Sequence, residues 1–237
     1  MPRLYCPTRL SSGQALALPP GPARHVQVLR LQPGEEVLLF NGEGGQWRAV
    51  IERMGRSDVD VRVTQYEEVE REVGVAVHLA IGIPANERMD WLVEKATELG
   101  AASIQPLVTA RAILRVAGER AQKKQEHWQA IAAAACEQSG RNRLPVVQEP
   151  AGYAEWLTRA LPPVRFVLSL DAQAPRLDNA LLADGKECLV LSGPEGGLDA
   201  REEQAAVDAG FARVSLGPRV LRAETAPIAA LALLTLS

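Results

Sequence analysis

Cysteine is scarce: Cys6, Cys136 and Cys188 are the only three in 237 residues, far apart and with no CxxC pair. That spacing argues against a disulfide framework and against a thiolate zinc site, and it suits a reducing, cytoplasmic setting. Histidine is equally sparse, and His25, His78 and His127 offer no metal-ligand spacing, so no metal is expected. Long apolar runs are missing as well. The one candidate, Ala226 to Leu236, contains Pro227 and is well short of the ~20 residues a membrane span requires. It reads as a buried helix whose lack of a wet face points to a homodimer contact. The first residues, with Arg3, Tyr5 and Arg9 and no apolar stretch, do not form a secretory pattern. An excess of positive charge is also absent. Net charge is −3, so any phosphate recognition has to come from a local patch. Lysine is rare, four against 22 arginines. Arginine suits bidentate phosphate contacts, although the codon bias of a genome explains such an excess equally well.

What remains is an ordinary globular composition, 47% hydrophobic and 23% charged, long enough for one large domain or two unequal ones. Residues 24 to 66 read as a small β-rich unit. Val37 to Phe40 is followed by the turn Asn41-Gly42-Glu43-Gly44-Gly45 and by Trp47 to Ile51. Val59, Val61 and Val63 then alternate with Asp60 and Arg62, the period of a strand with one wet face. The charged stretch Glu67 to Gly74 reads as a linker.

From Val75 onward strands and helices alternate. An apolar stripe of Met89, Leu92, Val93, Ala96 and Leu99 is stopped by Gly100. Strands are expected near Val75 to Ile83, Ile104 to Val108, Val164 to Leu170, Glu187 to Leu191 and Ala212 to Ser215. A long helix should end around Cys136 to Gly140, and a helical segment should lie near Leu177 to Ala183. This rhythm implies an α/β domain with a mostly parallel sheet covered on both faces.

Two loops stand out. Ser192-Gly193-Pro194-Glu195-Gly196-Gly197 follows a strand and leads to Asp199 and Glu202, spaced as a capping box at a helix start. Glycines at the carboxyl end of a parallel strand let backbone approach a ligand closely, and a tight turn without a ligand explains them equally. The loop lacks the Gly-Lys-Ser/Thr of a phosphate-gripping loop and the spacing of a dinucleotide fingerprint. The second loop runs from Leu216 to Ala226 and crowds Arg219, Arg222 and Glu224 beside the apolar C-terminal helix. Each of these taken alone fits a solvated helix start.

Taken together, Ser192 to Gly197 and Leu216-Gly217-Pro218-Arg219-Val220-Leu221-Arg222-Ala223-Glu224-Thr225-Ala226 resemble the two C-terminal motifs of the small-subunit ribosomal RNA uridine-N3 methyltransferases, members of the SPOUT superfamily. Arg24 to Arg30, Glu94 to Gly100 and Glu137 to Arg141 agree, in the family's order. The family usually has threonine where Ala223 stands, and often lysine where Ala85 stands.

The resemblance implies a PUA-like RNA-binding β-barrel over residues 1–70, then an α/β trefoil-knot methyltransferase domain over 74–237. It further implies S-adenosylmethionine as cofactor, ribosomal RNA of the small subunit as substrate, and a homodimer. Cofactor contacts would come from Leu170, Leu191, Ser192, Gly193, Glu195, Gly196, Gly197, Leu216, Gly217, Leu221 and Thr225. RNA would meet Arg3, Arg24, His25, Arg30 and Arg141. The imino nitrogen of uridine is protonated at neutral pH, so the site must stabilise the anion formed when that proton leaves. Arg222 is the candidate for this role, with Glu224 holding its guanidinium. A noncatalytic RNA-binding or ribosome-assembly protein, and a methyltransferase acting on a ribose hydroxyl or another base, are the alternatives.

Overall fold

The computed structural model describes residues 1–112, 117–182 and 186–236. By its internal contacts the chain falls into two units: Met1–Glu72 with Ala133–Leu144, and Val73–Ala132 with Pro145–Ser237.

In the first unit, β1 (Arg3–Tyr5), β2 (Ala15–Ala17), β3 (Glu36–Phe40), β4 (Gln46–Met54) and β5 (Val59–Glu67) form one sheet in the order β1-β3-β4-β5-β2. β1 runs parallel to β3, and the remaining pairs are antiparallel. The alternation expected around Val59 is realised. Val59, Val61 and Val63 are fully buried, while the outward Arg62 and Arg53 pair across the strands with Glu52 and Asp60, each at 2.6 Å. Residues 24 to 28, expected within a β-rich stretch, lie instead in helix α1 (Pro20–Val28). Pro20 sits in its first turn, where a missing N–H costs nothing, and Ala23 and Val26 anchor it to the core. The charged stretch after β5 is also tied down: Glu70 accepts from the Gly45 N–H at 2.8 Å, and Glu72 grips Arg141.

The second unit begins with β6 (Ala76–Gly82), α2 (Asn86–Glu98), β7 (Ala101–Val108) and the long α3 (Glu119–Ser139), whose last residues are counted with the first unit. Then come β8 (Val146–Val147), β9 (Ala151–Gly152), α4 (Tyr153–Trp156), β10 (Val164–Leu168), β11 (Glu187–Ser192), α5 (Ala200–Asp208), β12 (Ala212–Val214) and α6 (Thr225–Thr235). The segment expected to be helical near Leu177 makes only a 3-10 turn over Asn179–Leu182, and Ala183 lies outside the described residues.

Among the described residues every strand pair of the second sheet is parallel, in the order β12-β10-β11-β6-β7-β8, with β9 also on β7. The first strand of this unit is therefore central, and the chain fills one side before crossing to the other. In such open sheets the crevice beyond the carboxyl ends of the strands, where the order reverses, is where ligands bind. The expected stripe on α2 is in the core, with Met89, Leu92, Val93 and Ala96 fully buried. α6 packs on α2, β6 and β11 through Pro227, Ala230, Leu231 and Leu234. Among the described residues no helix is long and apolar enough to cross a membrane.

Candidate active site

A cavity of about 390 Å³ opens at the carboxyl ends of β10, β11 and β12, within the range of small-molecule sites. Leu168, Ser169 and Leu170 supply one wall, Ser192, Gly193, Glu195 and Gly197 a second. Leu216, Gly217 and the segment from Arg219 to Ala223 supply the third, with Arg88 of α2 and Ala226 of α6 closing it. Both loops singled out in the sequence thus face one space. The walls are mostly apolar, yet three guanidinium groups, Arg88, Arg219 and Arg222, border it. Leu170 and Val220 are 73% and 77% exposed, so apolar surface is held open at the mouth.

The loop after β11 is built so that only glycine fits at Gly193. A Cβ there would stand 2.5 Å from the Leu198 nitrogen and 2.7 Å from the Gly197 carbonyl carbon. The turn closes through the Gly197 N–H donating to the Pro194 carbonyl at 2.8 Å. Beyond it, Asp199 and Glu202 form the expected capping box, with bonds of 2.8 and 3.0 Å that fix the start of α5. In the second loop Gly217 takes φ +103, and its N–H donates to the Ser215 hydroxyl at 3.1 Å.

The charges are arranged differently from the sequence expectation. Glu195 Oε1 accepts from the Ala85 N–H at 2.9 Å and from Arg88 Nη1 at 3.1 Å. Arg88 Nε also lies 3.9 Å from Glu224 Oε1, while Glu224 Oε2 is buried without a hydrogen-bond partner among the described residues. Glu224 was expected to hold Arg222; the structure pairs it with Arg88 instead. The cause is the packing of α2 on α6, which brings the first turn of one helix to the start of the other. Arg222 itself is exposed, and its carbonyl accepts from the N–H groups of Thr225 and Ala226, both at 3.0 Å. Its backbone is fixed by the helix start while its side chain is left to the cavity mouth. Sequence reading missed Arg88, because a lone arginine in the first turn of an amphipathic helix carries no signal of a partner more than 100 residues away.

Three expected cofactor residues do not line the cavity. Leu191 is fully buried in the sheet core. Gly196 turns toward Arg111, whose Nη1 donates to the Gly196 carbonyl at 2.7 Å. Thr225 is exposed at the start of α6.

The arginines expected to meet RNA also divide. Arg24 and Arg30 are exposed in the first unit, and Arg30 holds φ +56 just past the end of α1. His25 Nδ1 lies 3.3 Å from Glu137 Oε2. Arg3 is used internally. It donates to Gln46 and to the Asn142 side chain, each at 2.6 Å, lies over the Phe40 ring, and is held below its ordinary pKa first by burial and then by Arg71. Arg141, 5% exposed, makes a two-bonded pair with Glu72 at 3.0 and 2.6 Å. Both guanidinium groups are thus engaged by neighbours within the first unit. Cys136 is buried and its thiol is pushed up to about 11, chiefly by burial, which leaves it inert at neutral pH.

A family model described as an RNA methyltransferase domain matches residues 71–235, and one described as an RNA methyltransferase PUA domain matches 23–64. Ribosomal RNA small subunit methyltransferase E of Bacillus subtilis is 30% identical over 213 residues, 87% of this chain and 83% of that protein. The crystal structure of ribosomal RNA small subunit methyltransferase E from Neisseria gonorrhoeae bound to S-adenosyl methionine superposes with a TM-score of 0.89 at 36% identity, covering 98% of this chain and 95% of the other. A Legionella pneumophila protein solved with the bound cofactor SAM superposes with a TM-score of 0.91 at 36% identity, covering 98% and 96%.

Proposed function

This chain belongs to the ribosomal RNA small subunit methyltransferase E family, and from that premise we propose that it methylates N3 of a uridine in 16S ribosomal RNA with S-adenosylmethionine as cofactor. The observation that carries this reading is the single cavity onto which both glycine-containing loops converge beyond the sheet. Its residues suit the cofactor. Apolar Leu168, Leu216 and Leu221 can cover an adenosyl group, the peptide groups around Gly193 and Gly217 approach without side chains, and charged groups stand at the rim. Bound there, the cofactor supplies a methyl group already activated by its sulfonium centre.

The protein's own work is to orient, to exclude water and to manage charge. Leu170 and Val220 at the mouth offer apolar contact to a base entering the cavity. Uridine N3 is flanked by two carbonyl groups, and the exposed Arg222 guanidinium at the cavity rim supports the reading that positive charge there stabilises the anion left when the N3 proton passes to solvent. Glu224, through Arg88 and Glu195, sets the wall behind it. Mass spectrometry of nucleosides from 16S RNA tests the reading. A strain lacking the gene should lose one 3-methyluridine and regain it on complementation; loss of a different methylated nucleoside would reassign the target.

The all-parallel unit is read as a trefoil-knot methyltransferase domain, and the first unit as its PUA-like RNA-binding barrel. We read the assembly as a homodimer through α6 and α2, because α6 is apolar all round and Trp91 on α2 and Leu236 just beyond α6 remain exposed. Light scattering at micromolar concentration should return twice the chain mass of 25.6 kDa, and a monomer would reject this.

Arg24 and Arg30 are assigned to phosphate contacts. Replacing both with alanine should weaken RNA binding about tenfold and reduce the salt slope by roughly 0.7 to 0.9 per lost contact, while sparing cofactor affinity. An unaltered slope would remove them from the interface.

A further inference from the structure

We infer that the turn Asn41–Gly45 of the first unit, flanked by Tyr5 and Tyr66, is a stacking platform for an unpaired stretch of RNA, with Arg9 receiving a phosphate. The inference rests on the RNA methyltransferase reading and adds to it a base-contacting surface on the first unit.

The turn packs three left-handed glycines into five residues, Gly42 at φ +89, Gly44 at +110 and Gly45 at +66. Two of them lie against tyrosine side chains. A Cβ on Gly42 would stand 3.0 Å from Leu144 Cβ and 3.3 Å from Tyr5 Cε2, and one on Gly45 would collide with the Tyr66 phenol. The missing side chain at Gly45 thus lets the Tyr66 ring rest against the turn, with the Tyr5 ring edge beside Gly42. Each ring is braced by a second aromatic: Tyr5 by Phe40 at 5.5 Å between centroids, and Tyr66 by Trp47 at 5.0 Å. Braced rings lose little freedom on binding, which favours stacking. Tyr66 nevertheless remains 46% exposed, so part of its ring is open to a partner.

The polar groups around the turn sort a nucleotide by parts. A groove lined by Tyr5, Thr8, Arg9, Asn41 and Glu43 runs along one side. Asn41 and Glu43 lock each other, the Glu43 N–H donating to Asn41 Oδ1 at 3.1 Å and Asn41 Nδ2 donating to Glu43 Oε2 at 3.0 Å. The carboxylate keeps phosphates off the turn and offers acceptors to the N–H groups of a base edge. Arg9, exposed and in no ion pair among the described residues, is the group in this groove suited to the phosphate. An aromatic ring beside a cation is the common arrangement for single-stranded nucleic acid, whereas the bases of a duplex are already stacked on one another.

Fluorescence anisotropy with a labelled, mixed-sequence single-stranded RNA octamer and a hairpin duplex of the same composition tests this. The unmodified protein should bind the octamer more tightly than the duplex. Tyr66→Leu should weaken octamer binding about fivefold or more without changing its salt slope, and Tyr66→Phe should retain it. Arg9→Ala should lower the slope by about 0.7. Circular dichroism and cofactor titration should be unchanged in all three, since Tyr66 and Arg9 lie at the surface. Full octamer affinity in Tyr66→Leu, or an equal loss toward the duplex, would overturn the platform while leaving the methyltransferase reading intact. Failure of the unmodified protein to bind either RNA would instead strike at that reading.

Discussion

Arg222→Ala is expected to cut the single-turnover rate of methyl transfer by about 100- to 1000-fold, the usual cost of removing one preorganised group that stabilises transition-state charge. Affinities for S-adenosylmethionine and for RNA should stay within a few-fold of the unmodified protein. The structure makes this a clean test. The Arg222 side chain is exposed, and among the described residues it has no ion pair with Glu224, whose charge is directed to Arg88. Only its carbonyl is used by α6, through Thr225 and Ala226. Removing the side chain therefore leaves the loop's own bonds in place, and stability should shift by no more than about 0.5 kcal/mol. Arg222→Lys keeps the charge but loses the planar fork, and should fall between the two. Near-normal turnover in the alanine variant would exclude the role. Lost cofactor binding would make Arg222 a wall of the cavity and nothing more.

Much of the second unit was legible because buried strands and an amphipathic helix write their burial into one-dimensional periods. Met89, Leu92, Val93 and Ala96 are spaced for one helical face, and that face is in the core. Helix α1 was not legible, since only Ala23 and Val26 point inward and two points do not define a period. Its better signal was Pro20, which suits a first helical turn. Charges were harder still. Arg141 and Glu72 read as a helix end and a charged linker, yet the buried Arg141 pairs with the half-buried Glu72. Arg88, Glu195 and Glu224 come from three separate stretches, and no local pattern predicts that the contact of α2 with α6 unites them. Family resemblance located both loops of the cavity. It could not say which glycine of the first loop is sterically obligatory, because that depends on what each missing Cβ would strike.

That difference yields the second large effect. Gly193→Ala should weaken S-adenosylmethionine binding more than 100-fold by calorimetry, about 2.8 kcal/mol at 1.4 kcal/mol per tenfold, whereas Gly196→Ala should change it by less than about threefold. At Gly193 the new methyl would meet the backbone of Leu198 and Gly197 at 2.5 to 2.9 Å. That backbone has nowhere to go. Leu198 immediately precedes the capping box of α5, and on the other side Pro194 lies so close to Gly82 that a Cβ there would approach the Pro194 nitrogen to 2.7 Å. The loop must distort, and its distortion falls on the cavity wall that Gly193 and Glu195 form. At Gly196 the methyl would meet Arg111 Cβ at 3.1 Å and Cδ at 3.2 Å, close contacts that a shift of a few tenths of an ångström relieves, rather than backbone at 2.5 Å. Gly196 also does not line the cavity, so what little strain arises there is directed away from the ligand. Thermal unfolding run alongside separates the loop from the fold: both variants should unfold cooperatively, with Gly193→Ala a few degrees lower. Equal affinities in the two variants would show that the first loop does not hold the cofactor, and would leave its binding to Leu168–Leu170 and the second loop, from Leu216 to Leu221.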